Sequence, residues 1–87
     1  MEKTLLKQSP LSWVPVRANS VANQIVTQIR EALFAGRFRP GDPIGSEKDL
    51  AKQFVVSRIT VRDALRTLET MGIVEIRVGA SGGARIA

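Results

Sequence analysis

Arg58, Arg62 and Arg66 recur every fourth residue. On a helix that spacing drifts about 40° per step. The three guanidinium groups therefore form one basic stripe beside the apolar positions Val61, Ala64, Leu65, Leu68 and Met71. A guanidinium fork matches the paired acceptors of a guanine edge and the oxygens of a phosphate, so Arg58 and Arg62 are candidates for base recognition. Ser57 and Thr60 sit at the same helix start and offer short polar contacts. Ile59 projects on the side opposite the core stripe, where it gains nothing from folding. Its partner is either a thymine methyl group or none, as for many exposed apolar side chains. Asp63 repels phosphate and is expected to buttress Arg62 or Arg66. Ten or so residues earlier, Lys48 and Lys52 project away from an apolar stripe, as phosphate contacts would.

Other chemistries are poorly supplied. The chain has no cysteine and no histidine, which removes thiolate ligands, disulfides, the usual proton shuttle and the usual zinc ligand. No Ser or Lys stands at helical spacing from a plausible base. Gly79, Ala80, Ser81, Gly82 and Gly83 lack the Gly-Lys-Ser/Thr ending of a phosphate cradle, and no helix follows them. With 87 residues, one domain of this size buries only about 60 to 65% of its unfolded surface, too little for a deep catalytic pocket. Neither an enzyme nor a cofactor or metal site is expected. Lys and Arg number 13 against 8 Asp and Glu, a net charge of +5, which favours a polyanionic partner. No apolar run approaches the roughly 20 residues of a membrane span, so the expected location is the cytoplasm.

The elements that must hold these residues follow from periodicity. Residues 1–18 contain Pro10 and Pro15 and read as an extended or disordered arm; Trp13 packs on the domain, on another chain or against nucleic acid. Residues 19–87 form the domain. Val21, Ala22, Ile25, Val26, Ile29, Ala32 and Leu33 lie on one side of a first helix, capped by Asn19 or Ser20 and stopped by Gly36. A Pro40-Gly41 turn follows. Ser46 and Asp49 form a variant capping box for a two-turn helix burying Leu50, Ala51 and Phe54. Val55 and Val56 lead to a second cap at Ser57 and a third helix over 57–71, ended by Gly72. Val74, Ile76 and Val78 alternate as one face of a strand that returns at 84–86, forming a hairpin with its tip at 79–83.

The resulting fold class is mainly α with a small β-hairpin, a winged helix-turn-helix. A helix fits the major groove of duplex DNA, roughly 12 Å wide, and the start of the preceding helix suits a phosphate. The run GRFRPGDPIGSEKDLAKQFVVSRITVRDALRTLETMGIVEIRVGASGG resembles the amino-terminal domain of GntR-family transcription regulators, in which a PG turn, a P-S-E-x-x-L-A segment, a V-S-R-x-T-V-R-x-A-L helix and a glycine-containing wing follow in this order. The resemblance spans about residues 20 to 87. It implies sequence-specific binding of double-stranded DNA in bacterial transcription regulation, commonly as a repressor. The implied contacts come from Lys48, Ser57, Arg58, Ile59, Thr60 and Arg62, with Gly79 at the minor groove. Arg66 extends the basic stripe, and Arg77 or Arg85 supports wing readout.

Three positions depart from the family pattern. Gly45 replaces a proline and is expected to loosen the start of the second helix, Ile59 stands where a small polar residue is frequent, and Val78 where some relatives are polar. Family members bind inverted repeats as dimers and continue into a carboxy-terminal effector domain. The wing resembles that of the FadR-like branch, whose second domain is a helical bundle for small carboxylates. The chain is thus expected to be a fragment of a longer homodimeric regulator, with a stand-alone reader as the other reading. The rival function is a winged helix that docks on a partner protein; such surfaces tend to be apolar at their centre, unlike this arginine-bearing face.

Overall fold

The computed structural model describes residues 20–78 and 82–87. The expectations for the arm with Trp13, for Asn19 and for Gly79 lie outside the described residues. Ser20 caps α1 (Val21–Phe34), its hydroxyl accepting from the Asn23 amide at 3.1 Å. Ile25, Val26 and Ile29 are buried, while Val21 at the first turn is half exposed. After the Pro40-Gly41 turn comes an element that periodicity did not reveal, the short strand β1 (Pro43–Gly45). The helix α2 (Glu47–Phe54) has the expected capping box, with Asp49 N to Ser46 Oγ at 3.1 Å and Ser46 N to Asp49 Oδ2 at 3.5 Å. Leu50 and Ala51 are its buried residues; Phe54 is half-buried.

Val55 ends α2 at φ 58, the left-handed region, where a β-branched side chain is strained. The chain then reverses through Val56 to Ser57, whose hydroxyl accepts from the Thr60 amide at 3.1 Å and caps α3 (Arg58–Thr70). Val61, Ala64, Leu65 and Leu68 are buried as their spacing predicts. Met71 is not. It is the C-cap of α3 and is 45% exposed, because the stripe runs off the core at the last turn.

Strands β2 (Val74–Arg77) and β3 (Gly83–Ile86) form the antiparallel hairpin, with Val74 opposite Ile86 and Arg77 opposite Gly83. Val78 does not continue the inner face: the strand stops at Arg77, and Val78 is 95% exposed. The sheet has three strands in the order β1-β3-β2, with β1 antiparallel to β3 and a register irregularity between Pro43 and Gly45. Gly45 sits at φ +127, which proline cannot adopt because its ring fixes φ near −65°. Gly45 ends a paired strand one residue before the α2 cap. Val74, Ala84 and Ile86 of the sheet join the buried residues of the three helices in one core. This arrangement of three helices and a hairpin is the winged helix-turn-helix.

Candidate nucleic-acid interface

Burying Val61, Ala64, Leu65 and Leu68 turns the opposite side of α3 to solvent. Ile59, Asp63 and Arg66 lie on that side, Arg58 and Arg62 flank the buried stripe, and all five are exposed, Ile59 at 67%. Ser57 is exposed at the helix start. Thr60 is half-buried, and its hydroxyl is engaged with Ser57 Oγ at 2.8 Å, so the two short side chains act as one cap and not as separate free contacts.

Lys48 projects from the first turn of α2. It lines a groove of about 290 Å³ together with Arg58 of α3 and Arg77 of β2, with Glu47 as the one acid in the lining, and the groove is floored by Leu65, Ile76 and Ala84. Residues separated by ten and nineteen positions in sequence are thus brought to one concave surface. Arg77 also makes a long ion pair with Glu75, 3.7 Å, on an exposed face. Arg85 lies elsewhere: its Nη1 donates to the Gly41 carbonyl at 3.3 Å, which ties it to the turn before β1.

Arg62 is the largest departure from expectation. Its partner is Glu47 at the start of α2, with Nε to Oε2 at 3.0 Å and Nη2 to Oε1 at 3.1 Å. Asp63, the expected buttress, has no ion pair among the described residues and acts on Arg62 only as a nearby charge. The hydrogen bond from Arg62 holds the Glu47 carboxyl below its ordinary range; burial opposes it, and the charges of Arg62, Arg58 and Arg66 add to it. Arg62 in turn is held more firmly protonated, chiefly by the same hydrogen bond. Glu47 was missed because its partner is fifteen residues away, across the reversal between two helices, where no i,i+4 rule applies.

Among the described residues no cluster of three or more His, Cys, Asp or Glu is placed to hold a metal, and no helix is long and apolar enough to cross a membrane. What the fold offers is a polar, arginine-bearing helix face flanked by a basic groove and a hairpin, the layout of a nucleic-acid-binding winged helix.

The chain belongs to the gntR family of bacterial regulatory proteins, whose family model matches residues 21–83. It is 40% identical over 65 residues to the HTH-type transcriptional regulator Mce2R of Mycobacterium tuberculosis, covering 75% of this chain and 27% of the relative. It is 46% identical over 52 residues to MngR of Escherichia coli, the mannosyl-D-glycerate transport/metabolism system repressor, covering 60% of this chain and 22% of the relative. The chain thus spans about a quarter of the length of the curated relatives it matches. Among solved structures, the AraR DNA-binding domain in complex with operator ORR3 superposes with a TM-score of 0.69 at 29% identity, covering 95% of both chains. A GntR family transcriptional regulator from Listeria monocytogenes gives a TM-score of 0.73 at 26% identity over 80% of this chain and 60% of that one. The family and these relatives are regulators and not enzymes.

Proposed function

We propose that this chain is the DNA-reading head of a bacterial transcription regulator, with α3 in the major groove and the wing over the adjacent minor groove. The observation that carries this reading is the convergence of Lys48, Arg58 and Arg77 on one groove beside the exposed face of α3. The same fold is seen in the AraR domain bound to its operator. On this reading Arg58 is the leading base reader and Ile59 meets a thymine methyl. Ser57 and Lys48 contact phosphate, as does Arg66 farther along the stripe, with Thr60 bracing the Ser57 contact. Arg77 and Gly79 serve the wing.

A single α3 offers too few side chains for a long unique site, so two copies meet on an inverted repeat. In the full-length regulator a carboxy-terminal domain holds the homodimer together, binds the small-molecule effector and is of the FadR-like helical type; the greater length of the relatives supports such a domain. Repression, the activity in the name of MngR, is the expected mode, and the cytoplasm the expected location. Titration of duplexes selected from a random pool, at two salt concentrations, tests the reading. Affinity that falls with salt and discriminates against shuffled duplexes supports it; salt-independent binding to no particular duplex would favour the protein-docking alternative.

A further inference from the structure

The DNA-reading proposal leaves one residue unexplained, a carboxylate in the midst of the arginines. Glu47 is exposed to the same solvent as the basic face, and a negative charge there repels phosphate and weakens binding to any duplex. Yet it is built in firmly. It is the first residue of α2, one position after a cap closed by Ser46 and Asp49, and it meets Arg62 in a two-point fork. Side-chain exposures of 47% for Arg62 and 28% for Glu47 mean that the pair sits at the surface and not in the core.

The geometry fixes which part of Arg62 remains usable. Nε and the inner hydrogen of Nη2 are spent on Glu47. Nη1 and the outer hydrogen of Nη2 form the end-on edge of the planar guanidinium, and that edge is left with two parallel donors. A flexible arginine on a basic face finds the nearest phosphate, a contact without sequence information. An arginine clamped in one plane presents its end-on edge in one direction, suited to the paired O6 and N7 acceptors of guanine.

We propose that Glu47 is a specificity-determining positioning residue: it holds Arg62 with its end-on edge toward a guanine and lowers affinity for duplexes that lack that guanine. Resting on the DNA-reading proposal, it sacrifices non-specific affinity for discrimination.

The test uses the 87-residue chain with two duplexes of equal composition, one selected by this chain from a random pool and one shuffled. Glu47→Gln keeps the shape of the side chain and leaves the Ser46–Asp49 capping box intact. The expected result is a severalfold tighter binding to the shuffled duplex and a salt slope there steeper by about one unit, as freed Arg62 takes up a phosphate. The preference for the selected duplex falls about tenfold, with the thermal midpoint unchanged within a few degrees. In an Arg62→Gln background the same substitution leaves the preference unchanged, because the effect runs through Arg62. Equal changes on both duplexes, or an undiminished effect without Arg62, would overturn the proposal. A wild-type chain that binds both duplexes equally would instead overturn the DNA-reading assignment itself, and this inference with it.

Discussion

Gly83 brings the hairpin backbone into close approach with β1 and the α2 cap, and replacing it with alanine should be among the costliest small changes in the molecule. An added Cβ would stand 3.0 Å from the Gly45 carbonyl oxygen, 3.3 Å from its carbonyl carbon and 3.5 Å from the Ser46 amide nitrogen. These are backbone atoms of β1 and of the α2 cap, so they cannot swing aside as a side-chain end would. The backbone of Gly83 is also at φ +138, where an L side chain costs about 1 to 3 kcal/mol. With the enforced displacement of β1, the total is about 2 to 4 kcal/mol, against about 3 to 10 kcal/mol for a domain of roughly 70 residues. Gly72→Ala is the natural control: its φ is +77 but no atom lies within 4 Å of the new Cβ, so only the conformational cost remains, about 1 kcal/mol. Urea unfolding followed by circular dichroism reads both, and with a slope of about 1 kcal/mol/M the Gly83→Ala midpoint should fall by about 2 M or more, twice the shift of the control. Equal midpoints for the two variants would show that β1 yields to the methyl group and that the close approach does not pin the α2 cap to the wing.

Leu65 is 2% exposed in the centre of the α3 stripe, so Leu65→Ala should remove about 2 to 5 kcal/mol and leave a large unfolded fraction near physiological temperature; a thermal midpoint within a few degrees of wild type would refute the packing described. Because the Arg62 hydrogen bond holds the Glu47 carboxyl below its ordinary value of 4.5, the stabilisation from this pair is complete above that value and is lost as pH falls through the lower folded one. A carboxyl NMR titration should therefore place the Glu47 midpoint below 4.5 and move it back up in Arg62→Gln; no movement would mean that the fork is not formed in solution. Lys48→Ala should weaken binding to selected and shuffled duplexes alike and flatten the salt slope by about one unit, and an unchanged slope would place Lys48 off the DNA.

The three helices were legible because their stripes are long and their ends are chemically marked. Ser20, Ser46 and Ser57 each accept the amide three residues on, as cap residues should. Legibility failed where periodicity runs out or where the partner is remote. Met71 and Val78 continue their stripes on paper, but each lies just past the end of its element, so the pattern projects them onto a surface with no core beneath. Strand β1 has only Pro43, Ile44 and Gly45, too short to alternate. Its partners, Ala84 and Arg85, lie about forty residues later. Nothing in the spacing around Glu47, the first residue of α2, points to Arg62; only the reversal at Val55 brings the two together. The arginine stripe itself was readable; which arginine is free and which is clamped was not.

The central claim, that α3 reads bases while α2 and the wing hold the backbone, is tested most directly by Arg58→Ala against a library of duplexes carrying every single-base change in the selected site. Arg58 is exposed at the start of α3 and lines the groove shared with Lys48 and Arg77. If α3 reads bases in this way, affinity for the selected duplex falls about ten- to a hundredfold and preference disappears at one base pair per half-site while persisting at the others. A uniform loss across the whole library, with every preference retained, would contradict it and make Arg58 a phosphate contact.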